Sequence, residues 1–387
     1  MNIAFIPGVF FPQPGGAQVQ VNNFANKLIE NGLKVDCLIY RKANIKNTNY
    51  NIIKINYFLT SIVYFFFYHL GINLNFIITF FLRRKIKKKK YDIWHFCFLN
   101  FKSLILINCL KKLDQKVIVT FQGIDVQILT KINYGYRLNK KYNDLLISTI
   151  KYIDAFTAIS KNIEKDLIKL GVKKNRIFLI PNSVYLKKFK KTQIKKKKSY
   201  YIKFITVGRF AEKKKGFDLI KKIVPILNKK KIKFKWKIIG KGTNKVLKYK
   251  ELKKNIDDFE IIEDIQNINE LYFPNEELIK HYKSSDIYLN LSRIESFGIT
   301  FIEALASNLP ILSFNTKGID ELIVNNKNGF LINSFNYKKY VNVIDKISKN
   351  QISITKLETM KTVKNFDLDK NTKELIELYK KVLNLSI

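Results

Sequence analysis

Only three cysteines occur in 387 residues, Cys37, Cys97 and Cys109, odd in number and set in separate apolar runs. That pattern excludes a disulfide framework and a Cys-x-x-Cys metal site, and it favours a reducing compartment. Histidine is equally scarce: His69, His95 and His281 stand far apart with no metal-ligand spacing, and His95, at the strand-like Asp92-Ile93-Trp94-His95, is read as structural. The Asp-x-Asp at Asp367-Leu368-Asp369 precedes the amphipathic run Glu374 to Leu383 and is read as the cap of a C-terminal helix. No metal and no cofactor are expected. Acid is short as well, with 31 Asp+Glu against 71 Lys+Arg, a net charge of +40 that favours anionic partners, among them an anionic membrane surface. The accompanying wealth of Lys, Ile, Asn, Phe and Tyr is the residue set of AT-rich coding sequence, so charge alone does not select the partner. The basic runs lack the repeated aromatic stacking pattern of nucleic-acid binders, and no specific nucleic acid is expected.

What is present is an ordinary globular balance of 47% hydrophobic and 26% charged residues, and the length suits two domains. Met1 is followed at once by the apolar Asn2 to Pro7 with no basic leader, so the mature chain is expected to start here, in the cytoplasm. One segment tests that expectation. Tyr57 to Leu82 carries no Lys, Arg, Asp or Glu and runs into the basic Arg83 to Lys90. Length and flank suit a membrane span, but His69, Gly71, Asn73 and Asn75 interrupt its middle, which suits two shorter helices better. Those helices either lie on a membrane face or pack on a sheet.

The chain opens as strand, loop, helix, strand: Ile3 to Pro7, Pro12 to Gly16, Ala17 to Glu30 with Val21, Phe24, Ala25, Leu28 and Ile29 at helical spacing, then Val35 to Tyr40. Further strands are predicted at 93–98, 117–121, 155–159 and 177–181. The pattern restarts with a strand at 203–207, a loop at 208–216, a helix at 217–227 and a strand at 234–239. The fold class is therefore α/β, with two Rossmann-like domains facing across a cleft and parallel sheets flanked by helices. The expected divisions are a first Rossmann-like domain at 1–186, a Lys-rich linker at 187–200, a second Rossmann-like domain at 201–370 and a C-terminal helix at 371–387, which could pack back on the first domain.

Three constellations could carry chemistry. Pro12-Gln13-Pro14-Gly15-Gly16-Ala17 joins strand to helix, and its glycines would let backbone approach an anion at the helix start. Gly208-Arg209-Phe210 with Lys213-Lys214-Lys215-Gly216 places a guanidinium and ammonium groups at a strand's carboxyl end, where they could neutralise a diphosphate. Ser292-Arg293-Ile294-Glu295-Ser296-Phe297-Gly298-Ile299-Thr300-Phe301-Ile302-Glu303 follows the predicted strand 287–291 and opens a helix near Phe297. Its two carboxylates, eight positions apart, could grip hydroxyls of a ligand whose phosphates rest on the helix N-terminus.

Together with Ile180-Pro181-Asn182-Ser183-Val184 and Gly318 to Gly329, these segments stand in the order and spacing of the retaining glycosyltransferases of family 4, which the chain resembles over nearly its whole length. The resemblance implies the GT-B fold and transfer of a sugar from a nucleotide diphosphate sugar, with retention, to a glycan or lipid-linked acceptor. It would belong to surface polysaccharide or glycolipid synthesis, peripheral on the inner face of the cell membrane. By position it implies catalytic roles for Arg209 and Lys215 at the diphosphate and for Glu295 at the donor sugar. Donor-binding roles fall on Gly15, Gly16, Gly208, Phe297, the backbone of Gly298, Ile299 and Thr300, and Glu303 at the ribose. Gln122 and Asp125, in Thr120-Phe121-Gln122-Gly123-Ile124-Asp125, would lie near sugar and acceptor. Two departures matter. Gln122 stands where the family commonly has His and cannot titrate, and the loop 208–216 is one residue longer than usual, leaving Lys214 or Lys215 as the phosphate ligand, of which Lys215 directly precedes the glycine. Two other readings stand beside this one: a nucleotide-sugar epimerase of the same fold, and a basic nucleic-acid- or membrane-binding protein without transferase activity.

Overall fold

The computed structural model describes the chain except residues 9, 12–14, 41–44, 46, 56, 131–132, 197–198, 264, 266–269, 317, 334, 353–355 and 385–387. Pro12, Gln13 and Pro14 of the first constellation therefore lie outside the described residues. The chain divides into two units, Met1–Asn182 with Leu368–Ile387, and Ser183–Asp367.

Among the described residues, the first unit is built on seven parallel strands: β1 Asn2–Ile6, β2 Lys34–Ile39, β3 Asn51–Lys54, β4 Ile93–Phe96, β5 Val117–Phe121, β6 Ala155–Ala158 and β7 Ile177–Leu179. Their spatial order is β3-β2-β1-β4-β5-β6-β7. Ile3, Phe5, Ile93, Trp94, Phe96, Val117, Ile118 and Val119 are all buried, as expected of parallel strands covered on both faces. Its helices are α1 Gly16–Glu30, α2 Tyr57–Phe65, α3 Asn75–Lys88, α4 Phe101–Lys111, α5 Lys140–Thr149 and α6 Lys161–Lys169. The second unit carries α7 Leu186–Lys191, α8 Ile220–Lys229, α9 Lys250–Lys253, α10 Glu276–Ser284, α11 Ile299–Ala306, α12 Tyr337–Ser348 and α13 Lys356–Val363. The chain ends in α14, Leu368–Val382, which belongs to the first unit. The second sheet, also all parallel, has β8 Ile202–Val207, β9 Phe234–Ile239, β10 Phe259–Ile262, β11 Ile287–Asn290, β12 Ile311–Phe314 and β13 Gly329–Ile332 in the order β10-β9-β8-β11-β12-β13. Phe204, Trp236, Leu289 and Leu312 from four of these strands pack with Ile220 and Ile223 of α8 into one core.

Two boundaries differ from those expected. Most described residues of the Lys-rich stretch are exposed, but Phe189 of α7 is buried, and Lys188 bonds Glu270 and donates to the carbonyls of Tyr272 (2.6 Å) and Pro274 (2.7 Å), which ties the start of the stretch into the second unit. The C-terminal helix starts at Leu368, not at 371 or Glu374. Asp369, in its first turn, pairs with Lys27 of α1 at 2.9 Å, and Tyr379 Oη lies 2.7 Å from His95 Nδ1 on β4. His95 Nε2 lies 2.7 Å from Thr120 Oγ1, and burial pushes the imidazole down to about 3, so it is neutral in the folded chain.

The uncharged run folds as α2, a single π-helical turn Phe66–Leu70, a left-handed residue at Gly71 (φ 71°) and α3. Among the described residues no helix is long and apolar enough to cross a membrane. Because Tyr379 is fully buried against His95, Tyr379→Phe orphans a buried polar atom. Urea unfolding is expected to show a loss of about 1–2 kcal/mol, and an unchanged midpoint would mean the bond does not hold α14.

Candidate active site

Strand order reverses in the second sheet between β8 and β11, whose successors β9 and β12 lie on opposite sides of that pair. In open parallel sheets the loops at such a point leave a crevice at the strands' carboxyl ends. Both motif loops of this unit start there: β8 runs into Gly208-Arg209, and β11 into Ser292 to Gly298.

The β11 loop is held from two sides. Gly216 (φ 69°) lies so close to it that a Cβ there would stand 1.9 Å from the Leu291 carbonyl oxygen, and a Cβ on Gly318 (φ 97°) would stand 2.6 Å from that of Glu295. The Arg293 guanidinium forks onto Asp218 with bonds of 2.6 and 2.8 Å, and its backbone N–H donates to the Lys214 carbonyl (2.9 Å). These contacts bring Lys215 Nζ to 2.5 Å from Glu295 Oε1, which also accepts from Ser292 Oγ at 2.8 Å. Thus Lys215, rather than Lys214, faces the loop carboxylate. Burial, the Lys215 charge and the Arg209 charge, opposed by Glu295, bring Lys214 down to about 8. Arg209 is exposed. Gly208 donates its N–H to Ile239 (2.8 Å).

The helix begins two residues later than expected, at Ile299 after the left-handed Gly298, and its first turn carries no acid to answer its dipole. Thr300 Oγ1 accepts from Tyr288 Oη at 2.8 Å, while the Phe297 ring is buried edge-on against Phe366, so that residue serves packing. Glu303 is 5% exposed; burial pushes its carboxyl up to about 7, and a bond from Tyr282 Oη (2.8 Å) works against that rise. Tyr282 lies on α10, twenty-one residues earlier, and no local pattern announces it. A cluster of cations opposite a helix N-terminus, with a buried carboxylate one turn further on, can bind a diphosphate and a vicinal diol together.

In the first unit Gly15 is extended (φ 178°) and caps α1, which starts at Gly16. Gln122 is engaged at both ends of its amide, donating to the Cys97 carbonyl (3.3 Å) and accepting from Asn182 (3.1 Å). Asp125 is fully buried and accepts from the N–H groups of Gln122 (3.1 Å), Gly123 (2.8 Å) and Leu99 (3.4 Å); burial still raises it to about 6. Its carboxylate shapes this loop. Gln122, His95, Cys97, Thr120 and Asn182 line a cavity of about 30 Å³, room for an ordered water. Among the described residues no three His, Cys, Asp or Glu side chains are grouped to hold a metal ion.

The profile of glycosyl transferases group 1 matches residues 187–365, and that of glycosyltransferase family 4 matches residues 14–188. The chain belongs to the group 1 glycosyltransferases of the GT-B fold. It is 26% identical over 281 residues to an uncharacterized 41.2 kDa protein in the cps region of Klebsiella pneumoniae, a match covering 68% of this chain and 71% of that one. An uncharacterized glycosyltransferase of Haemophilus influenzae is 31% identical over 222 residues, 56% of this chain and 59% of that one. Among solved structures, that of Anabaena Alr3699/HepE in complex with UDP-glucose shares the fold with a TM-score of 0.70 at 14% identity, covering 98% of this chain and 100% of that one.

Two variants test the geometry of this glycosyltransferase site. Gly216→Ala drives a methyl into a carbonyl and is expected to cost about 3 kcal/mol in chemical unfolding; a loss below about 1 kcal/mol would refute the clamp. Glu303 in the folded chain sits above its ordinary 4.5, so its ionisation costs stability as pH rises from about 4.5 to about 7. Glu303→Gln is therefore expected to gain on wild type by up to about 3 kcal/mol between pH 5 and 8, and parallel pH curves would refute the burial.

Proposed function

We propose that this glycosyltransferase moves a sugar from a nucleoside diphosphate sugar to a glycan or lipid-linked acceptor with retention at the anomeric carbon. The observation that carries the proposal is the Lys215–Glu295 ion pair on the loop that leads into α11 at the β8/β11 reversal, where Arg209 follows β8 and Glu303 is buried in α11. Arg209 and Lys215 take the diphosphate and stabilise the charge it gains as the sugar–oxygen bond breaks. Glu303 accepts ribose hydroxyls, held in place by Tyr282. The backbone N–H groups of Gly298 to Thr300 face phosphate. Glu295, neutralised by Lys215, orients the donor sugar.

Neither Gln122, which has no titratable proton, nor Glu295, held in its ion pair, is suited to be the base. The acceptor oxygen bonds to the anomeric carbon on the face the diphosphate leaves, and its proton passes to the departing phosphate oxygen. Because the side chains supply the positive charge, the transfer is proposed to be metal-independent.

The cps-region relative supports surface polysaccharide as the product class, and the neighbour's UDP-glucose supports a nucleotide sugar as donor. Three free, buried cysteines support a cytoplasmic site of action. We place the enzyme on the inner face of the cell membrane, where a lipid-linked acceptor is met.

Calorimetry with UDP, GDP and ADP is expected to show selective binding of one of them, weakened at least about tenfold by Arg209→Ala and by Glu303→Ala. Binding of none of them, or binding indifferent to both substitutions, would overturn the donor site. Proton NMR of the first-formed product should show the donor's anomeric configuration, and EDTA should leave the rate unchanged; inversion or loss of activity would refute the corresponding part.

A further inference from the structure

We infer that α3 and the turn before it form the face by which this chain docks on an anionic lipid bilayer. The inference rests on the peripheral placement proposed above and names the surface responsible. One side of α3 is spent on its own unit: Asn75, Ile78 and Leu82 are buried. The other side carries three phenyl rings in solvent, Phe76 (64% exposed), Phe80 (51%) and Phe81 (50%), and the preceding turn adds Leu70 (57%). Phe76, Phe80, Arg84 and Lys87 fall four, four and three positions apart, one stripe along the helix. Arg84 lies over the Phe80 ring at 4.4 Å, and Arg83, Lys87 and Lys88 are exposed beside it.

The helix is fixed in this attitude. Just past its end, Lys89 pairs with the buried Asp36 on β2, and Tyr91 Oη donates to the same carboxylate at 2.6 Å. An outward aromatic stripe merging into a basic one is the arrangement that seats rings at the boundary of headgroups and acyl chains while cations meet lipid phosphates. With fourteen residues, α3 is about 21 Å long and cannot cross a core of about 30 Å, so it lies along the surface. Charge argues against a second copy as the occupant. From Tyr57 to Tyr91 there is no Asp or Glu, so two such faces brought together would oppose like charges.

The full chain is mixed with vesicles of phosphatidylcholine alone or with about one third phosphatidylglycerol, and the bound fraction is read by co-sedimentation at low and high salt. Binding is expected only to the anionic vesicles. Phe76→Ser with Phe80→Ser should lower the partition coefficient at least about tenfold, and Arg83→Gln with Arg84→Gln and Lys87→Gln should do the same while flattening the salt dependence. Both variants should keep the parent's thermal midpoint and its nucleoside diphosphate affinity in solution. The proposal falls if the phenylalanine pair partitions like the parent, if neutral vesicles bind equally well, or if that pair only breaks a dimer in sedimentation velocity. A parent that binds vesicles in the expected pattern but binds no nucleotide would leave the docking face standing and sink the transferase reading alone.

Discussion

The constraint on which the structure depends is parallel strand pairing. Every strand of both sheets runs the same way as its neighbours, so each must be followed by a crossover, and the order must reverse once where the chain starts covering the second face. In the second sheet that reversal falls between β8 and β11. Its consequence is chemical: two loops far apart in sequence, one with Arg209 and Lys215, the other with Glu295 and the α11 N-terminus, open at the same end of adjacent strands. The Arg293–Asp218 fork and the close approaches of Gly216 and Gly318 then turn neighbouring loops into one rigid surface.

Charge within that surface is graded by burial. Lys215 and Glu295 neutralise one another, Lys214 is brought down to about 8, and Glu303 is lifted to about 7 against the pull of Tyr282. In the proposed transfer these fixed cations and the buried carboxylate would leave little reorganisation to be done as charge develops on the leaving group. The first unit contributes a different kind of order. Asp125 spends its carboxylate on loop N–H groups, and His95 is locked between Thr120 and Tyr379, tying α14 to β4.

The strands that the sequence made legible were those with long apolar runs. β5 and β9 lie where expected, and β1, β2, β4, β6 and β8 differ by a residue or two at their ends. β3, β10, β12 and β13 were not anticipated; β3 is an exposed edge carrying Asn51 and Lys54, without the apolar run that marks a buried strand. In the Lys-rich 187–200 composition shows the exposed lysines but not that Phe189 turns inward or that Lys188 finds Glu270 and two carbonyls. The motifs that hold Arg209, Lys215, Glu295 and Glu303 are visible in the sequence because loop chemistry depends on residue type and local spacing, whereas the Lys215–Glu295 contact and the burial of Glu303 are not.

By itself the sequence determined the α/β class, the repeated strand–loop–helix units, the excess of positive charge and the glycosyltransferase motifs, since these rest on periodicity and short-range spacing. Tertiary structure alone decided which lysine faces Glu295, that Tyr282 holds Glu303, that Phe297 packs inward, and that α3 turns Phe76 and Phe80 outward. Each of those depends on which side chains meet across strands and helices distant in the chain, and burial, hydrogen bonding and charge acquire their magnitudes only there.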